Sequence, residues 1–158
     1  MSVLMNAAIH NIFIVFTPRN MPRFKDLLGE GYQFGVNLTY ALQPSPYGLS
    51  QAFIIGADFI GDNNVAMELV DNIFVGHGLK KCLEAVAKNT AESGKDTTVF
   101  GYYVDELKHF SIVKFDANGT TISIEEKHVQ LKSNYCVTSL YCYDNRMVEY
   151  TKPEAFCT

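Results

Sequence analysis

The sequence predicts an α/β fold with a mixed sheet, on three observations. Residues 11–93 alternate short apolar, β-rich runs with segments of helical periodicity. From Thr97 the helical pattern stops and strand-like runs follow one another, with Asp116-Ala117-Asn118-Gly119 between two of them as a hairpin turn. At 158 residues and 47% hydrophobic composition, the chain has enough apolar material for the core of one domain.

Asn11 to Phe16 is apolar on both faces, which suits an interior strand of a parallel sheet. Thr17-Pro18 ends it. Met21 to Leu28 reads as a short helix with Asn20 as N-cap, Pro22 in the first turn and Gly29 just past the end. Val36 to Leu42 is the second strand. Gln43-Pro44-Ser45-Pro46-Tyr47-Gly48 is a stiff turn, because each proline fixes its own φ and restricts its predecessor. A helix from about Leu49 to Phe59 follows, then a strand from Val65 to Val70 that ends at Asp71-Asn72. His77 to Glu92 has the spacing of an amphipathic helix, closed by Ser93-Gly94-Lys95-Asp96. Strands are expected at Thr98 to Val104, Phe110 to Phe115, Thr121 to Ile124 and Tyr135 to Tyr143. The chain thus divides into a βα part, about 1–96, and a β-rich part, about 97–150.

A formal charge of -4, without long basic or acidic runs, argues against nucleic-acid binding, which needs clustered cations. No apolar run is long enough to cross a bilayer and the first residues carry no charged leader, so a cytoplasmic protein without membrane partners is expected. Cys82, Cys136, Cys142 and Cys157 form no CxxC pair and no zinc-type spacing with histidine. On one strand, Cys136 and Cys142 share a face but lie roughly 20 Å apart, too far for a disulfide. Reduced, buried thiols are expected.

In open α/β sheets ligands gather beyond the carboxyl ends of the parallel strands, so polar residues that directly follow an apolar strand deserve inspection. Asp71-Asn72 is one such place: a carboxylate there could hold Mg²⁺ bridging substrate phosphates, although Asp and Asn are also common turn residues. Gln43 to Gly48 is another, offering backbone N–H groups and a side-chain amide to a polar ring, or serving as a mere connecting turn. Glu125-Glu126-Lys127 sets a carboxylate beside an ammonium, as sugar-phosphate binding requires and as solvated surfaces also do.

The strings Thr17-Pro18, Pro22-Arg23-Phe24, Gln43-Pro44-Ser45-Pro46, Gly48-Leu49, Gln51-Ala52-Phe53-Ile54-Ile55-Gly56, Asp71-Asn72-Ile73-Phe74, Gly76-His77-Gly78-Leu79, Glu125-Glu126-Lys127 and Lys132-Ser133-Asn134-Tyr135 are collinear over nearly the whole chain. In that order they resemble the central part of the glucose-1-phosphate thymidylyltransferase family. The resemblance implies a Rossmann-like nucleotide-diphospho-sugar transferase fold with a mixed sheet, truncated at both ends, and a place in dTDP-rhamnose biosynthesis. It implies a Mg²⁺-dependent reaction of dTTP with glucose 1-phosphate to give dTDP-glucose and pyrophosphate, driven by alignment and charge neutralisation. By carry-over, Gln43 and Gly48 would contact the thymine and Asp71 would hold Mg²⁺. Glu126 and Lys127 would contact the sugar hydroxyls and the sugar phosphate, and Val137 would make a backbone contact to the sugar.

Several positions depart from the family pattern. Its first strand, its Gly-rich phosphate loop and its second metal aspartate have no counterpart here, so the chain is expected to be inactive alone, with two apolar sheet edges facing a gap. Val70 and Ser139 stand where the family has Gly, Tyr47 where it has Asp, His128 where it has Pro, and Phe110-Ser111 where it has Tyr-Gly. Glu68 lies inside an apolar strand, where an unpaired carboxylate would cost several kcal/mol or be protonated. Two other readings stay open: a pyrophosphorylase for another nucleotide or sugar, and a non-catalytic module that binds a nucleotide-sugar. The exposed edges leave two partners open, a second copy of the chain or a full-length relative.

Overall fold

The computed structural model describes residues 1–152 apart from 46–47, 70–71, 77, 94–96, 106–110 and 126–132, with the backbone alone at 91–93. The first helix, α1 (Ser2–Asn6), leads to β1 (Asn11–Phe16). β1 pairs in parallel with β2 (Asn37–Leu42), residue for residue from Asn11 opposite Asn37 to Phe16 opposite Leu42. Between them α2 (Met21–Leu28) has the predicted bounds and Pro22 in its first turn. Asn20 occupies the N-cap position without a side-chain cap bond, since its backbone is already helical (φ -98°, ψ -27°) where a capping residue needs an extended one. A 3₁₀ turn (Tyr32–Phe34) returns the chain to β2. It starts after Gly31 at φ 87°, where a Cβ would lie 2.8 Å from the Val36 carbonyl oxygen, so only glycine fits.

The helix expected from Leu49 to Phe59 is two helices, α3 (Ser50–Ile55) and α4 (Ala57–Ile60), broken at Gly56. Gly56 passes so close to β1 that a Cβ would sit 3.3 Å from the Phe13 ring, and the backbone leaves helical geometry there. β3 (Val65–Glu68) is next, then α5 (Leu79–Ser93). The second half holds β4 (Thr98–Tyr103), β5 (Ile112–Phe115), β6 (Thr121–Glu125), β7 (Tyr135–Tyr143) and a short α6 (Met147–Tyr150). The hairpin turn between β5 and β6 forms as expected, with Asp116 Oδ1 accepting from the Asn118 and Thr120 N–H groups. The proposed helix closure at Gly94 to Asp96 lies outside the described residues.

β7 organises the larger sheet, and all of its pairings are antiparallel. β4 runs along it from Thr98 opposite Cys142 to Tyr103 opposite Tyr135, with an irregularity at Gly101. β3 pairs with its C-terminal half and β5 with its first residues, and β6 completes the sheet beside β5. Among the described residues the parallel pair β1–β2 forms a sheet of its own, so β1 is an edge strand rather than an interior one. Residues of both β1 and β3 line a cleft of about 410 Å³.

The core is divided in the same way. Leu140 on β7 (1% exposed) packs with Val3 and Leu83, against Phe74 and Phe100. Ile12, Val36 and Leu38 form a second cluster around the parallel pair. Leu4 of α1 touches both. The thiols differ from expectation: Cys136 is buried, Cys142 half-buried and Cys82 exposed, because α5 turns the Cys82 position outward. Those three are free, and Cys157 lies outside the described residues.

Candidate functional site

Gln43, which follows β2, and Leu69, which follows β3, both line the cleft. β1 and β2 end level with each other, and the Gln43 N–H extends their ladder by donating to the Phe16 carbonyl (2.8 Å). The Gln43 side chain turns across its loop and donates from Nε2 to the Gly48 carbonyl at 3.1 Å. Gly48 holds φ at 90°, a conformation that L side chains rarely adopt, which explains a glycine at that point of the turn. With its amide N–H group so engaged, Gln43 presents its carbonyl oxygen as an acceptor suited to a ring N–H. Gln51, on the first turn of α3, has a buried Oε1 without a hydrogen-bond partner among the described residues, a polar group that no strand-end or turn pattern singles out.

The end of β3 is fixed from the opposite side. The Leu69 N–H donates to the Ser139 carbonyl (3.0 Å), and Asn72 Nδ2 donates to the Thr138 carbonyl (3.1 Å). The Thr138 hydroxyl donates in turn to the Phe100 carbonyl at 3.0 Å, tying β4 into the same arrangement. Asp71 lies outside the described residues, between these two anchored neighbours. Val137 is the next residue along β7; its N–H already donates to the Ser111 carbonyl (2.9 Å), so that donor is in use within the sheet. Glu126 and Lys127 lie outside the described residues, directly after the last residue of β6. The structure therefore joins Gln43 with Gly48, and ties Leu69 and Asn72 to the carbonyls of Ser139 and Thr138, the residues that follow Val137 on β7.

Glu68 is not an unpaired carboxylate. Its Oε2 lies 2.8 Å from the Met1 ammonium, with the Glu68 side chain 9% exposed. A partner 67 positions away in the chain has no local signature in the sequence.

Among the described residues no group of three or more His, Cys, Asp or Glu side chains could hold a metal ion. Two acidic groups of β7 are held in their neutral forms. Burial, with Cys82 nearby, pushes the Cys142 thiol up to about 11, and burial, with Tyr141 and Cys142 adding to it, pushes Tyr143 up to about 12. Both stay protonated at neutral pH.

Among the described residues, no helix is long and apolar enough to cross a membrane. The chain is 48% identical over 152 residues to a glucose-1-phosphate thymidylyltransferase of Neisseria gonorrhoeae, covering 96% of this chain and 51% of that protein. It is 46% identical over 150 residues to the enzyme of the same name from Xanthomonas campestris pv. campestris, covering 95% and 50%. The chain therefore spans about half the length of these curated relatives. Its fold superposes, with a TM-score of 0.84 and 29% identity, on a Bacillus anthracis protein described as a glucose-1-phosphate thymidylyltransferase and solved in complex with a sucrose, covering 97% of this chain and 61% of that one. The nucleotidyl transferase family model matches residues 1–155, all but the last three positions, and by that match this chain belongs to the nucleotidyl transferase family.

Proposed function

We propose that this chain carries the base-binding and sugar-binding part of a glucose-1-phosphate thymidylyltransferase site. The convergence of Gln43 and the end of β3 on one cleft supports this reading best, since both Gln43 and Leu69 line it. Gln43, steadied on Gly48, would accept from the thymine ring N–H. The 97–150 part would bind the sugar, with Glu126 on its hydroxyls, Lys127 on its phosphate and Val137 along its edge. In the full reaction a phosphate oxygen of glucose 1-phosphate attacks the α-phosphorus of dTTP, and pyrophosphate leaves. Mg²⁺, held by Asp71 and the substrate phosphates, would supply charge neutralisation when bound. This chain's own residues would align the two substrates, the main need of a transfer with little acid–base chemistry. In this reading the protein works in the cytoplasm on the route to dTDP-rhamnose.

The 158 residues contain no Gly-rich loop to cradle a triphosphate. The chain alone should therefore bind dTDP-glucose and release no pyrophosphate from dTTP and glucose 1-phosphate. Isothermal titration with dTDP-glucose in Mg²⁺ tests the binding. A saturable isotherm, weakened about 3- to 10-fold by Gln43→Ala as loss of one neutral hydrogen bond predicts, supports the site. Tighter binding of UDP-glucose than of dTDP-glucose would assign it to another nucleotide. No binding of either sugar nucleotide would refute it.

A further inference from the structure

We propose that Thr138 is a positioning residue for the sugar-nucleotide site: its hydroxyl closes a bulge in β7 whose carbonyls hold the exit of β3. The role given to Thr138 rests on the reading of the β3 end as part of that site, whereas the bulge and its hydrogen bonds stand without it.

Where β7 passes β4 the ladder between them is interrupted. Val99 pairs with Tyr141 and Gly101 with Val137, so Phe100 alone stands opposite Thr138, Ser139 and Leu140. The insertion is of an even number of residues, so Val137 and Tyr141 keep the face of Gly101 and Val99, and the side-chain pattern is the same on either side of it. What the bulge changes is the direction of the backbone. In a regular strand successive carbonyls point to opposite edges. Here, with Ser139 at φ 59°, Thr138 and Ser139 both turn their carbonyls toward the chain that leaves β3, one accepting from Asn72 Nδ2 (3.1 Å) and the other from the Leu69 N–H (3.0 Å). Leu69 and Asn72 thus hang on two neighbouring peptide groups, directly after Val137. Re-aiming groups beside a site in this way is a use to which bulges are put, and it sacrifices ladder bonds.

Thr138 replaces a bond that the interruption removes. Its hydroxyl donates to the Phe100 carbonyl at 3.0 Å, and that half-buried residue sits at the break in the β4–β7 ladder. A buried carbonyl is costly to leave without a donor, so the hydroxyl favours the bulge over a regular register. In a regular register only one of the two carbonyls could face β3, and either Leu69 or Asn72 would lose its acceptor.

The test uses the full chain, with dTDP-glucose binding read by isothermal titration and single amides by hydrogen exchange in two-dimensional NMR. Thr138→Val removes the hydroxyl at nearly constant shape and should weaken binding about five-fold, the loss expected of one hydrogen bond. In that variant the Leu69 amide should exchange about ten-fold faster, whereas Met67, on the regular part of the β3–β7 ladder, should keep its rate. Thr138→Ser keeps the hydroxyl and should restore both the affinity and the Leu69 protection. Asn72 is exposed, so Asn72→Ala releases one of the two ties with little effect on folding; it should weaken binding at an unchanged urea midpoint, and it decides the matter if Thr138→Val does not fold. Binding at the parent's affinity by Thr138→Val or by Asn72→Ala, binding by Thr138→Ser as weak as that of Thr138→Val, or faster exchange at Leu69 and Met67 alike would overturn the positioning role alone. Absence of binding by the parent chain would overturn the reading of the site, and the role of Thr138 with it.

Discussion

Ser139 sits within β7 at φ 59°, in the left-handed region where a side chain is strained. Its carbonyl is the acceptor for the Leu69 N–H, so the pairing of β3 with β7 holds the residue in that conformation. Ser139→Gly relieves the strain while giving the unfolded chain more freedom, and the balance should raise stability by about 0.5–1 kcal/mol. Ser139→Val, with a branched Cβ at the same φ, should lower it. Urea unfolding measures both as shifts in midpoint at unchanged slope. The departure was legible, because a serine stands where the resemblance expects glycine. The backbone angle that gives it meaning was not, since φ is set by the strand pairing. Glu68 shows the opposite limit: burial was readable from an apolar strand, whereas its ion pair with Met1 depends on α1, which is too short to leave a periodic signal.

At the level of elements, β7 was found with both boundaries because Tyr, Val and Thr recur along nine residues without a breaker, and α2 because its proline and glycine mark its ends. The split of α3 from α4 was hidden, since Gly56 acts through its contact with Phe13, a strand away in the fold. The junction of β7 and α6 was equally hidden. There Asp144 (6% exposed) accepts hydrogen bonds from Arg146 N–H, Nε and Nη2 at 3.0, 3.0 and 2.5 Å. Hydrogen bonding to Arg146 holds the Asp144 carboxyl below the usual carboxylate range, against the opposing effect of burial. A depressed folded-state pKa contributes stability that is fully present above the unfolded value and is lost as pH falls through the folded one. Asp144→Asn should therefore be less stable than the parent by a constant amount from about pH 5 to 8, with the gap closing in more acidic solution. Chemical unfolding at a series of pH values reads this directly, and a gap that widened in acid would contradict the assignment.

Across the whole molecule, two sheets share α1 as a bridge and leave their facing edges open, so stability should be uneven on a scale finer than the strand. The sequence announced the apolar edges through the doubly apolar run Asn11–Phe16, but which amides face the cleft follows only from the register with β2 and β7. Amide hydrogen exchange requires a broken hydrogen bond, and amides that have none within the protein exchange without any opening of the sheet. Ile14 and Phe16 on β1, and Met67 and Leu69 at β3, donate into their ladders and should exchange slowly. Phe13, Val15, Ala66 and Glu68 alternate with them and should exchange at least ten-fold faster despite lying in the same strands. Two-dimensional NMR of the chain in D₂O resolves these amides one by one. Uniform protection along β1 would mean that its outer edge is already covered, whereas alternation at both β1 and β3 would show that both edges exchange freely with solvent.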